Sequence, residues 1–368
     1  MDKNFFMGIA AMAALTLVSC SSDDLNSLSD NSSKNEAISF DGYWGRSAVS
    51  VNGSRGSELD KTALQNSTEG FGVFGNYKKA DGQEFGANLF NNQQVKYSST
   101  DNKWAYENTK YWPTEGHIDF LAYAPYVENP KFNGPSSINF TVENKVADQK
   151  DLLYAKADGQ TMANNSGTNK VKFQFKHALS RLGYSVKLKG TCSSDATITL
   201  KKITLAGSAP EPTTGTTTES AKAFYTNGTI DLSTGIWEKH SAGAGKQDFI
   251  NWFSGTRDVT SASESKPYKN PTSDYLFVIP QNFSEKIEDA GLQKENPDKL
   301  YVIVEYDIHY KDIDKTITNK VYKQLTQEFE QGKAYTINLT LGLTPIEFDV
   351  TTVEGWTDIN QVEINSWN

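Results

Sequence analysis

Apolar residues alternate with polar residues along much of this chain, and this period-two pattern is the strongest constraint on its fold. Val171, Phe173 and Phe175 alternate with lysine and glutamine, and the same alternation recurs in residues 182–188 and 335–341. Alternation of this kind places the apolar side chains on one face of a β-strand. No segment of useful length carries a sustained apolar stripe with helical spacing. The sequence therefore predicts an all-β protein.

The predicted strands are short and are separated by turn residues. Two continuous apolar runs, residues 275–279 and 301–304, indicate strands that are buried on both faces. Many short strands bounded by Gly, Asn, Pro and Ser are typical of antiparallel β-sandwiches. The chain is long enough for two such domains, and the seam between them is predicted near residues 164–176.

The N-terminus has the pattern of an export signal that ends at Cys20. Lys3 precedes an uncharged, apolar run over residues 5–18, which is shorter than the roughly 20 apolar residues that a membrane-spanning helix needs. The segment Leu17-Val18-Ser19-Cys20 resembles the bacterial lipobox, in which the cysteine is acylated and becomes the first residue of the mature protein. The alternative is a plain signal peptide with an incidental cysteine. Lipidation would hold the mature chain at a membrane surface without crossing the membrane.

A polar segment follows the signal and is predicted to be a disordered tether. Its Asp23 and Asp24 resemble the acidic export tag of surface lipoproteins in some Gram-negative bacteria, although solvation of a linker explains them equally well. The predicted division of the chain is a signal peptide at 1–19, a tether at 20–36, an N-terminal β-sandwich at 37–168 and a C-terminal β-sandwich at 169–368.

Composition argues against several classes of function. A net charge of -9 and a pI near 5.1 disfavour a nucleic-acid partner, which requires a basic surface. The four histidines are scattered and show no zinc-ligand spacing, and there is no Gly-x-Ser-x-Gly nucleophile elbow. We therefore expect no enzyme activity, no catalytic residues, no metal and no cofactor. His177 is expected to be a packed, hydrogen-bonded histidine, and Trp104 and Trp112 are expected to lie in the core.

A series of motifs resembles the fimbrillin-like family, the subunits and anchors of type V pili on Gram-negative anaerobes. The motifs are Leu17–Cys20, Tyr111-Trp112-Pro113, residues 118–125, residues 175–182, Phe277–Gln281, and Gly332–Tyr335 leading to Trp356. The resemblance implies two tandem, transthyretin-like β-sandwich domains. It also implies that a lipidated precursor reaches the outer membrane, where an arginine-specific protease removes its first strand. A strand from another subunit's C-terminal region then fills the groove that is left, as in β-strand addition.

The resemblance suggests positions for each of these events. Arg46 and Arg55 are the arginines of the N-terminal third and are the candidate cleavage sites, although both could simply be surface residues. The displaced strand would include Ile38-Ser39-Phe40. Candidate donor residues at the C-terminus are Ile359, Val362, Ile364 and Trp367. The donor could instead begin near Ile346.

The expected function is that of a structural subunit of a surface fimbria. The protein would be made as a lipoprotein precursor in the outer membrane, assemble with other fimbrial subunits by protease-triggered donor-strand exchange, and support cell adhesion. Whether it forms the stalk, the tip or the anchor stays open. The alternative is a surface lipoprotein that does not polymerise and binds glycans through exposed aromatic side chains.

Overall fold

The computed structural model describes most of the chain from Glu36 onward, which forms a single unit, Glu36–Asn368. The described residues are 36–43, 59–79, 81–130, 136–143, 145–165, 170–189, 195–208, 225, 227–238, 250–270, 274–283, 299–343 and 347–353. Within these ranges, no helix is both long and apolar enough to cross a membrane.

The first half is built on one large antiparallel sheet. Its described strands are β1 (Ser39–Tyr43), β2 (Phe71–Lys78), β3 (Phe90–Ser98), β4 (Lys103–Ala105), β5 (His117–Ala124), β6 (Ser137–Thr141), β7 (Leu153–Gln160), β8 (Lys170–Gln174) and β9 (Lys176–His177). Six of them form a sheet in the order β4-β3-β2-β5-β7-β9, and β1 pairs with β8 in a separate two-stranded sheet. Helix α1 (Lys61–Asn66) follows β1, and short 3₁₀ turns lie at Val146–Asp148 and Ala163–Asn165.

The second half consists of two larger sheets and two short strand pairs. Its described strands are β10 (Ser180–Leu188), β11 (Ala196–Ser208), β12 (Asn227–Asp231), β13 (Ile250–Val259), β14 (Tyr268–Lys269), β15 (Leu276–Val278), β16 (Gln281–Asn282), β17 (Lys299–Tyr310), β18 (Lys315–Leu325), β19 (Glu328–Phe329), β20 (Ala334–Leu341) and β21 (Glu347–Val353). One sheet has the order β14-β10-β20-β21, with β15 also paired to β10, and the other has the order β13-β11-β17-β18. A short helix, α2 (Ala262–Ser265), follows β13, and β16 pairs with β19.

Period-two alternation accounts for these strands, and the all-β prediction is confirmed. In β8, Val171 and Phe173 are buried, whereas Lys172 and Gln174 are exposed. Most pairings are antiparallel, but β1–β8 and β10–β20 are parallel. Parallel neighbours need a long connection, and more than 120 residues separate each of these pairs. The transthyretin-like character of the two halves stays a prediction.

Contacts between the halves are extensive. Strand β6 from the first half pairs with β12 from the second, over Ser137–Thr141 and Asn227–Asp231. The indole Nε1 of Trp237 donates a hydrogen bond to the carbonyl of Ala178 at 2.7 Å, inside a cluster of buried apolar residues that draws on both halves. Strands β8 and β9 follow the predicted boundary at 168/169 but pair with β1 and β7, which precede it. The predicted boundary between residues 168 and 169 stays a prediction.

Candidate functional site

The first strand, β1, is paired along one edge. It runs parallel to β8, with Ser39 opposite Lys170, Phe40 opposite Val171 and Asp41 opposite Lys172. Among the described strands, β8 is its single ladder partner. A strand held in this way lacks the second ladder that fixes a central strand, so a competing chain has fewer backbone hydrogen bonds to replace.

The strand is nevertheless held firmly by its inward side chains. Phe40 is 1% exposed, and its ring centroid lies 5.5 Å from Phe90, 5.4 Å from Tyr106, 5.5 Å from Phe120 and 5.7 Å from Phe173. We call these four residues the first-strand groove. Burying a side chain of this size contributes about 1.5–3 kcal/mol, and aromatic pairs add about 0.5–1.5 kcal/mol each. If β1 left, the groove would expose a continuous aromatic surface.

Residues 106–112 form hydrogen bonds with the chain immediately before β1. The backbone N–H of Ile38 donates to the carbonyl of Lys110 at 2.8 Å, and that of Trp112 donates to the carbonyl of Glu36 at 3.0 Å. The hydroxyl of Tyr106 donates to the carbonyl of Ile38 at 2.7 Å. Burial raises the pKa of Tyr106, so the phenol stays protonated and able to donate. We call this stretch the 106–112 segment.

The next described residue after Tyr43 is Leu59, and it is fixed by hydrogen bonding. The backbone N–H of Leu59 donates to Oδ2 of Asp151 at 3.2 Å, and the Asp60 side chain caps the N-terminus of α1. Fully buried Asp151 also contacts Nδ1 of His177 at 2.7 Å, which confirms the prediction that this histidine is hydrogen-bonded. A cut between β1 and Leu59 would therefore leave the downstream end anchored.

The candidate residues named from the sequence lie outside the described residues. They are Cys20, Arg46, Arg55, Ile346, Ile359, Val362, Ile364 and Trp367. The displaced strand predicted around Ile38-Ser39-Phe40 does lie within them, as the start of β1 and the residue before it. The 106–112 segment was not anticipated.

The other two arginines lie inside hydrogen-bonded strands. Arg181 in β10 is buried and sits between Ala334 and Phe277 of the neighbouring strands. Arg257 in β13 pairs with β11, and its guanidinium stacks 3.7 Å from the ring centroid of Tyr268. Arg181 is paired on both sides, whereas β13 ends its sheet and is hydrogen-bonded to β11. A protease needs an extended, accessible backbone, and hydrogen bonding within a sheet restricts that access.

The described tryptophans are core residues. Trp104 and Trp112 are 6% and 2% exposed, as predicted, and Trp237 and Trp252 are each 4% exposed. None of these four offers an open face on which a sugar ring could stack.

A polar cluster lies at the start of β5. Burial acts to raise the pKa of Asp119, but hydrogen bonds from Lys78 at 2.8 Å and from the Gly159 N–H at 2.7 Å outweigh it and hold the pKa below its usual value. His117 lies 3.7 Å from the same carboxylate. In the described part of the chain, no three His, Cys, Asp or Glu side chains are grouped so as to hold a metal ion.

At the other end of the chain, β21 also lies at a sheet edge. It pairs antiparallel with β20, from Thr340 opposite Glu347 to Ala334 opposite Val353. It is the last strand of the path β14-β10-β20-β21. The first and last described strands are thus each held by one ladder.

These features define a class of protein: a β-sheet protein whose first strand fills an aromatic groove at a sheet edge, where strand addition is possible. The chain belongs to the fimbrillin-like family, whose model matches residues 59–356. It is 27% identical over 401 residues to a protein of Phocaeicola vulgatus named fimbrium subunit Fim1C, an alignment that covers 97% of this chain and 98% of that protein. Its fold is similar to the crystal structure of a fimbrial protein from Bacteroides vulgatus, with a TM-score of 0.64, 21% identity, and coverage of 87% of this chain and 99% of the other.

Proposed function

We propose that this protein is a structural subunit of a surface fimbria. It is made as a lipoprotein precursor, assembles with other fimbrial subunits by protease-triggered donor-strand exchange, and supports cell adhesion. The observation that carries the proposal is β1 itself, an edge strand with a buried phenylalanine that directly precedes Arg46 and Arg55. Family membership and the fimbrium subunit from Phocaeicola vulgatus support the same function.

The physical argument begins with the covalent connection between β1 and the rest of the domain. A cut within residues 44–58 removes that connection, so β1 is then held by the β8 ladder, the first-strand groove and the 106–112 segment. A strand from a second subunit can satisfy the same backbone groups and fill the same groove. Holding β1 in place until the cut would prevent premature pairing.

The scarcity of arginine makes the trigger selective. The chain contains four arginines, and Arg181 and Arg257 lie in paired strands. An arginine-specific protease would therefore act at Arg46 or Arg55. The protease would not cut after lysine, so the lysines create no further cleavage sites.

The test is limited digestion of the purified precursor with an arginine-specific protease. We expect loss of the residues through Arg46 or Arg55, followed by a ladder of oligomers on gels. The variants Arg46→Lys and Arg55→Lys, singly and together, retain the charge but remove the cleavage site, and the double variant should stay monomeric. If cleavage is confirmed by mass and no oligomers form, the stalk role is wrong and an anchor or tip role remains.

Whether the chain stays attached through Cys20 separates the stalk role from the anchor role. We propose that its acyl chains hold the precursor at the outer membrane until the downstream cut releases both the anchor and β1, whereas an uncut subunit would remain as the anchor. Cell fractionation should place the Cys20→Ser variant outside the membrane fraction. Retention of that variant in the membrane would contradict lipidation at this residue.

A further inference from the structure

Three lysines line the outward side of β8 and β9. Residues 170–176 read Lys-Val-Lys-Phe-Gln-Phe-Lys, and burial alternates with exposure along them. The three apolar residues of this stretch belong to the core of the first half, so the lysines lie on the side of the strand that faces away from that core. We call Lys170, Lys172 and Lys176 the lysine row. At about 3.3 Å per residue, the row extends over about 20 Å.

The ammonium groups of the lysine row have no ion-pair partner among the described residues. Other lysines of the first half do have one, and each lies within 3.4 Å of a carboxylate: Lys78, Lys79, Lys150 and Lys156. Strands β8 and β9 contain no acidic residue, and Asp41 is the one acidic residue of β1. The row is therefore a basic stripe on a chain whose net charge is -9.

The lysine row begins beside the point where the described chain starts. Strand β8 is parallel to β1, and Lys170 lies opposite Ser39, which is three residues after Glu36. Residues 21–35 separate Glu36 from Cys20, the proposed lipid anchor. Whatever its conformation, a chain of this length spans at most about 55 Å. The row is thus within reach of the membrane surface while the precursor is anchored.

An anionic lipid surface is the partner that fits this row. A lysine ammonium group is a flexible point charge that can pair with a phosphate in many geometries. Each lysine near an anionic surface improves binding by about a factor of five. The attraction acts within a Debye length, about 8 Å at physiological salt, so acidic residues elsewhere on the chain oppose it little.

We propose that the lysine row lies against an anionic lipid surface and orients the tethered precursor, with β1 and β8 next to the membrane. The inference rests on the proposed lipid anchor for its geometry and adds a second, electrostatic contact to it. Three lysines alone give reversible binding, since stable attachment needs two signals. A cut within residues 44–58 would therefore leave the subunit free to depart.

The first test is flotation with lipid vesicles. The protein is the chain from residue 21 onward, which contains the whole unit Glu36–Asn368 but neither the signal nor Cys20. It should float with vesicles that contain phosphatidylglycerol and stay in solution with vesicles of phosphatidylcholine alone. Raising NaCl from about 0.05 M to about 0.5 M should abolish the binding, because the Debye length shortens about threefold. Failure to bind the anionic vesicles at low salt overturns the inference.

Variants of the lysine row locate the contact. The Lys170→Gln/Lys172→Gln/Lys176→Gln variant should lose on the order of a hundredfold in apparent affinity for the anionic vesicles, because each lysine contributes about a factor of five. Arginine at the same three positions keeps the charge and should bind like wild type. Weak binding by the arginine variant would show that charge is not the determinant and would overturn the inference.

A matched control uses lysines of the second half. Lys266, Lys315 and Lys323 are exposed, and changing all three to glutamine gives the same net charge as the variant of the lysine row. This control should bind the anionic vesicles like wild type. Equal losses in the two glutamine variants would mean that net charge governs binding, and the inference would be overturned.

Orientation is tested by fluorescence quenching from the lipid headgroups. Gln174 is exposed between two members of the lysine row and carries no charge, so Gln174→Cys in a Cys192→Ser background places a fluorophore there without altering the row. Nitroxide-labelled headgroups in anionic vesicles should quench this fluorophore more than one at Thr256→Cys, an exposed position in β13. Equal quenching at both positions would overturn the proposed orientation.

The same measurements separate this inference from the proposed function. If Cys20 is acylated and the precursor is in the membrane, but the chain without lipid does not bind anionic vesicles, the inference is overturned and the proposed function stands. If that chain binds as expected but Cys20 carries no lipid, the lysine contact is supported and the lipid anchor is wrong. Normal vesicle binding by the glutamine variant of the row, with a weaker oligomer ladder after cleavage, would assign the row to another subunit and overturn the inference.

Discussion

Replacing Phe40 with alanine tests whether the first-strand groove is what retains β1. The side chain is 1% exposed and its ring is within 5.7 Å of four other rings, measured between centroids. These rings lie on strands β3, β5 and β8 and on the 106–112 segment, so they cannot easily collapse into the space that alanine leaves. A buried Phe→Ala substitution costs about 3–5 kcal/mol. Almost all of that cost should fall on retention of β1.

The assay measures release of the N-terminal fragment after cleavage. The precursor is digested with an arginine-specific protease, and the fragment that remains bound is followed over time by size-exclusion chromatography and mass spectrometry. Phe40→Ala should increase the dissociation constant of the fragment by about 10²–10⁴-fold. The matched control is Phe140→Ala, the same change in β6, which should lower the melting temperature without accelerating release. Equal retention by wild type and Phe40→Ala would refute the reasoning.

Three further predictions concern contacts around this site and the stability of the first sheet. Tyr106→Phe removes a hydrogen bond to the Ile38 carbonyl, so fragment release should be about 2–10-fold faster, whereas Tyr97→Phe should leave it unchanged. Intact-mass analysis of the folded, digested chain should show no cut after either arginine of β10 and β13, and a fragment from such a cut would contradict the protection argument. The pKa of Asp119 is lowered in the fold, so the ionised carboxylate contributes to folding stability above about pH 4. That contribution is lost as the pH falls through the lowered pKa. The melting-temperature difference between wild type and Asp119→Asn should therefore shrink in acid.

The sequence was sufficient for the parts of the fold that depend on local pattern. Alternation at 171–175 and 335–341 predicted β8 and β20, and the apolar run at 275–279 predicted the buried strand β15. In each case one face or both faces of a strand must be apolar because the core lies there. The buried Trp104 and Trp112 followed from the same reasoning.

Contacts between distant residues could not be predicted in this way. The Tyr106 hydroxyl reaches the carbonyl of Ile38, which is 68 positions earlier, and nothing in the local sequence of either residue signals that contact. The same holds for Asp151, which binds the backbone of Leu59 over 92 positions and also contacts His177. A single sequence gives the period of a strand but not the identity of its neighbours, which is also why the parallel β1–β8 pair was not anticipated.

The covalent connection between β1 and the body explains why cleavage would be required. A tethered strand competes at an effective concentration of about 1 mM, whereas a donor from another subunit is present at about 1 µM, and this ratio is worth about 4 kcal/mol in favour of β1. Cleavage removes that advantage without changing any contact in the groove. Phe40→Ala should remove a similar amount without cleavage. The Arg46→Lys/Arg55→Lys chain should therefore bind a donor peptide measurably when it also carries Phe40→Ala, but not when Phe40 is intact. If the uncut Phe40→Ala chain stays inert while the cut chain binds the peptide, the intact connection blocks the groove sterically and competition is not the controlling factor.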